Sequence, residues 1–68
     1  MDNKKLILDS IEFYEQNIKD YQEMYDRNKK IIDNPETSKK KKKAYQLLNK
    51  VIKKEIEDSQ SHIKELLD

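Results

Sequence analysis

His62 is the only histidine of the chain, with Asp58 four residues before it and Glu55 a further turn back, so on a helix the imidazole and a carboxylate share one face. A metal site needs more ligands than this pair, and a general base needs a pocket around its substrate. The pair therefore reads as a surface histidine beside an acid. The serines, Ser10, Ser38, Ser59 and Ser61, stand in no nucleophile-elbow context. The chain has no glycine for a phosphate-cradling loop and no cysteine for a thiolate, a zinc knuckle or a disulfide. No catalytic constellation is expected, and no metal or cofactor site.

What remains is charge and aromatic surface. Lys39, Lys40, Lys41, Lys42 and Lys43 form an unbroken basic run that could meet the phosphates of a polyanion. Five consecutive residues circle a helix, so part of the run is plain solvated surface. Lysines without Arg, Asn or Gln at readable spacing contact the backbone of a nucleic acid, without sequence specificity. Tyr14, Tyr21, Tyr25 and Tyr45 could stack on unpaired bases, but the first three occupy inward positions of one periodic pattern and Tyr45 of a second, which favours packing with the hydroxyl reaching outward.

The pattern that must position these groups is helical. In the first half the apolar positions run Ile7, Ile11, Tyr14, Ile18, Tyr21, Tyr25, Asn28, Ile32, a 4-3 alternation with one polar member. No glycine or proline interrupts it, so a helix over about 4–32 is predicted, roughly 42 Å long. The break falls at Asp33-Asn34-Pro35-Glu36. Asn34 as cap with Pro35 as first helical residue is the simplest assignment, Thr37 or Ser38 as cap the alternative. A turn over about 33–35 then leads into a second helix over about 35–67. Its inward positions are Tyr45, Leu48, Ile52, Ile56, Ser59, Ile63 and Leu66, spaced 3-4-4-3-4-3. Two helices of nearly equal length and a short turn make an antiparallel hairpin, all-α and a single domain over residues 1–68.

Each helix carries more apolar surface than one neighbour covers. Leu6, Phe13, Met24 and Ile31 fall on a second stripe of the first helix, and Ala44, Leu47 and Val51 widen the face of the second. A chain of 68 residues buries little apolar surface alone, so these positions are the expected dimer or partner interface, with a homodimeric four-helix bundle as the form. Charge follows the same geometry. Residues 2–26 hold 7 acids against 3 bases, residues 27–54 hold 2 against 11, and residues 55–68 hold 5 against 1. Folded at Pro35, the chain becomes a rod with a basic tip and an acidic base.

Two resemblances follow from these residues. Leu8-x-x-Ile11-Glu12 on the first helix and Ser59-Gln60 on the second resemble the short helical-hairpin aspartyl-phosphate phosphatases of sporulating bacteria. In that family an aspartate follows the Gln of the Ser-Gln pair by three residues, and here that position is Ile63. The match covers about a dozen residues and lacks the working carboxylate. The architecture also resembles the plasmid copy-number hairpins that dimerise into four-helix bundles and bind RNA.

The expected function is a non-enzymatic interaction protein, a homo-oligomeric regulator or inhibitor that binds another protein. The alternative is a nucleic-acid-binding bundle that uses the basic tip, and a small phosphatase is the remote third. No apolar run is long enough for a signal peptide's core or a membrane span, so a cytoplasmic setting is expected. The abundance of Lys, Asn, Ile, Asp and Tyr suits an AT-rich source, such as a phage or plasmid of low-GC bacteria.

Overall fold

The computed structural model describes residues 3–68; Met1 and Asp2 lie outside the described residues. It holds two helices, α1 (Asn3–Asp33) and α2 (Lys39–Leu67), which pack against each other and form a hairpin 55 × 14 × 13 Å in extent. The absence of glycine and proline over residues 3–33 lets α1 run unbroken, and its seam lies where the 4-3 pattern puts it. Ile11 and Asn28 are buried, and Tyr14, Ile18, Tyr21, Tyr25 and Ile32 are half-buried. Ile7, near the open end of the hairpin, is exposed.

On α2 one seam position differs from expectation. Leu48 is 43% exposed, whereas Asn49 beside it is 7% exposed. With Asn49 in the seam, the inward positions from Tyr45 to Leu66 alternate 4-3-4-3-4-3 without a skip. Helix geometry thus prefers an uninterrupted heptad with asparagine at this position to an interrupted one with leucine. The polar member is satisfied across the seam. The Asn28 side-chain amide donates to Asn49 Oδ1 at 3.0 Å, and the Asn49 amide donates to the Tyr25 carbonyl at 3.3 Å. This pairing sets the register, bringing Tyr25 level with Ile52, Ile18 with Ser59 and Ile11 with Leu66. The stack of Tyr14 on His62, with centroids 5.0 Å apart, keeps the same register near the open end.

The second helix begins at Lys39 rather than near Pro35. Asn34 uses its side chain inside the link: its Oδ1 accepts from the Glu36 N–H at 2.9 Å and its carbonyl from the Thr37 N–H at 3.1 Å, a turn with proline at its second position. Ser38 is the cap. Its backbone is extended, with φ −62° and ψ 153°, and its Oγ accepts from the Lys41 N–H at 3.2 Å. The residues from Asn34 to Ser38 supply a reversal of the length that helical hairpins use, whereas a helix begun at Pro35 would leave Asn34 alone to turn the chain.

The core is thin. Among the described residues Ile11 and Ile52 are the buried apolar ones, and no large side chain is fully buried. The solvent-accessible surface is 5853 Å², where a compact monomer of this size exposes about 4,600 Å².

The amide pair gives a direct test of register control. Asn28→Leu alone leaves the buried Asn49 Oδ1 without its donor and should cost about 1–3 kcal/mol. The Asn28→Leu/Asn49→Leu double variant should recover that loss or exceed wild-type stability, while relaxing the unique register. Thermal melting followed by circular dichroism reads the first effect, and spin-label distances across the hairpin the second. Additive losses from the two substitutions would refute a coupled pair.

Candidate functional site

Two helices joined by one seam leave two flanks, and the sequence populates them differently. On one flank, the positions adjoining the seam are Leu8, Glu15, Gln22 and Lys29 of α1 and Gln46, Lys53, Gln60 and Leu67 of α2, so its basic part lies in the loop-proximal half. In the loop-proximal half this flank forms an open groove of about 530 Å³. Lys29, Lys43, Lys50 and Lys53 line it with one acid, Asp33, and Tyr25 and Asn49 belong to its lining. None of these lysines makes an ion pair among the described residues. The groove continues toward the open end past Gln22, Ile56, Glu57 and Gln60.

The run Lys39 to Lys43 divides, as five residues circling a helix must. Lys43 joins the groove and Lys42 is half-buried on the line of the seam, while Lys39, Lys40 and Lys41 are exposed. These last three occupy the first turn of α2, which holds no acid. The positive end of the helix macrodipole favours acids there, so this end of the hairpin is electrostatically strained as a free molecule.

The other flank adjoins the seam through Ser10, Asn17, Met24 and Ile31 of α1 and Leu48, Glu55 and His62 of α2. Near the open end Ser10, Tyr14, His62 and Glu65 surround a shallow hollow. His62 does not pair with Asp58 as its spacing suggested. Its ring stacks on Tyr14 at an interplanar angle of 17°, and its Nδ1 lies 3.9 Å from Glu65 Oε2. Phe13 stands edge-on to Tyr14, with centroids 5.7 Å apart, and is itself 63% exposed. Toward the loop the flank is apolar: Met24, Leu48 and Val51 are exposed, Ala44 and Leu48 share a hollow, and Ile31 is half-buried.

Of the interface expected from sequence, Leu6, Phe13, Met24, Ala44 and Val51 are exposed, and Ile31 is partly covered. Leu47 is exposed too but lies apart from them, in the lining of the basic groove. Leu48 belongs to the apolar flank and was missed because its hydrophobicity assigned it to the seam. Ser59 is buried in the seam and Ile63 is half-buried, so the position where the resembled family carries its carboxylate holds a packed isoleucine. Among the described residues no three metal-ligating side chains converge, and no helix is long and apolar enough to cross a membrane.

Fold and surface together define a two-helix coiled-coil hairpin with one apolar flank and one basic flank. The chain has no significant match to a protein-family model, to a curated protein or to a solved structure.

Strain at the basic end has a measurable consequence. Lys39→Glu/Lys40→Glu should raise the melting temperature, since each acid in a first helical turn contributes about 0.3–1 kcal/mol at low ionic strength. The gain should shrink as salt is added. Melting curves at low and high salt check it, and an unchanged or lowered midpoint at low salt would contradict the strain.

Proposed function

We propose that the chain is a non-enzymatic interaction protein, a helical hairpin that associates with itself and regulates or inhibits another protein by occupying a surface on it. The observation that carries this reading is the apolar flank: Phe13, Met24, Leu48 and Val51 are exposed at helical spacing on one side, while four unpaired lysines lie on the other. Scattered apolar residues on a small protein would need no partner. Leu6, Phe13, Met24, Leu48 and Val51, most of the exposed large apolar residues, gather on one flank of a hairpin with so thin a core, and that concentration favours a partner there. A cytoplasmic setting and a phage- or plasmid-borne origin fit this reading.

The test is comparative capture from the native host. Val51→Ser and Phe13→Ala should keep the helical circular-dichroism signal, because both side chains stand outside the seam, and should lose proteins that the wild-type chain retains. Equal retention by wild type and variants would remove the apolar flank from the function.

The groove supports a second reading, in which the hairpin binds the phosphate backbone of nucleic acid. Its four lysines are point charges that make no ion pair among the described residues and outnumber the one acid beside them, which suits sequence-independent contact. Affinity for duplex DNA and RNA should then fall with salt on a log–log slope of about −3 to −4, as four phosphate contacts require. A flat salt dependence would rule it out.

A further inference from the structure

The second stripe of α1 is complementary to itself when reversed. At about 100° per residue, Leu6, Phe13, Met24 and Ile31 point in directions within about 20° of one another. Set two copies of α1 antiparallel with the midpoint between Ile18 and Lys19 as their centre. Leu6 then falls level with Ile31 and Phe13 with Met24, each pair of numbers adding to 37. The polar residues of the stripe pair by the same rule: Asn17 with Asp20, and Ser10 with Arg27. Outward from the centre, polar and apolar levels alternate: Asn17 with Asp20, Phe13 with Met24, Ser10 with Arg27, and Leu6 with Ile31.

Each of these polar groups has capacity to spare. Asn17 is half-buried, yet its side-chain amide has no hydrogen bond among the described residues. Asp20 accepts from Gln16 through Oδ1, which leaves Oδ2. Ser10 donates its hydroxyl to the Leu6 carbonyl and keeps its lone pairs, while Arg27 has no ion pair among the described residues.

We propose that the apolar flank closes on a second copy of this chain, antiparallel, about a two-fold axis level with the Ile18–Lys19 peptide, so that Leu6 meets the second copy's Ile31 and Phe13 its Met24. This inference rests on the reading of that flank as the binding surface and names its occupant. A two-fold interface requires that whatever i does to j, j does to i, and the 37 rule meets that requirement at every level of the stripe.

Charge selects the same arrangement. The antiparallel dimer lays residues 27–54, with 11 bases against 2 acids, beside the acidic ends of the other copy, whereas a parallel one would set two basic halves together. Area is sufficient as well. The hairpin exposes 5853 Å², about 1,250 Å² more than a compact monomer of its size, and a standard interface takes about 800 Å² from each partner.

The chain has no cysteine, so introduced ones report without background. An equimolar mixture of Phe13→Cys and Met24→Cys chains, oxidised in dilute solution, should give the mixed disulfide dimer. Either chain alone should give little, since two copies of Cys at position 13 would stand about 16 Å apart along the helix in this register. Leu6→Cys with Ile31→Cys repeats the test at the outer level and guards against a weakened Phe13 contact. Sedimentation equilibrium of the wild-type chain should show a dimer that Phe13→Ala weakens at unchanged helicity.

Crosslinking of Phe13→Cys with itself would overturn the antiparallel register. A monomer by sedimentation, with no mixed crosslink at either level, would overturn the dimer. If capture of host proteins is still lost in Phe13→Ala in that event, the flank serves a different partner and the interaction reading stands without self-association.

Discussion

The pairing of Asn28 with Asn49 is the constraint on which the arrangement of everything else depends. A seam of isoleucines and tyrosines repeated every heptad is nearly indifferent to its own register, because a slip by one repeat replaces each apolar side chain with another. Two buried amides are not indifferent. A slip would strand one of them against an isoleucine, with a desolvation penalty of about 1–3 kcal/mol for each unpaired group. Because both flanks are read from the seam outward, fixing the seam also decides which residues sit together on the surface. Lys29 shares a groove with Lys50 and Lys53 only in this register.

The flanks divide the work that a small hairpin can do. Its core holds two buried apolar residues and one amide pair, and so supplies little stability. Sequence that could have enlarged the core has been placed outside it, as Leu48, Val51 and Phe13 on one flank. At the loop end only Asp33 and Glu36 oppose the bases, and the first turn of α2 carries lysines where the helix dipole favours acids. Local rules broken without compensation inside the molecule point to interactions made outside it.

How much of this is legible before folding depends on how many residues must be known at once. The first helix reads directly, because its 4-3 pattern is unbroken and local. The start of the second does not: Asn34-Pro35 and Ser38 are both acceptable caps on composition. What separates them is the chain length needed to cross from one helix to the other, a property of the pair. Leu48 against Asn49 is a conflict between hydrophobicity and period, and period wins because Asn49 finds Asn28 across the seam. An unskipped heptad was visible in the sequence and was the available signal. The groove is the least legible feature. The lysine run attracts attention as a block, yet only Lys43 of it lines the groove, and the other three lysines come from two helices.

The two flanks lie about 150° apart around each helix, since positions on either side of a heptad seam are separated by that angle. Covering the apolar flank therefore leaves the basic groove open. In an antiparallel pair of hairpins the two grooves would stand at opposite ends of the assembled rod, each beside the acidic end of the other copy. A ligand for the groove would then have to compete with those acids. In such a pair, the charge that would select its orientation would also set a threshold for anything the groove binds, and both effects would weaken together as salt is raised.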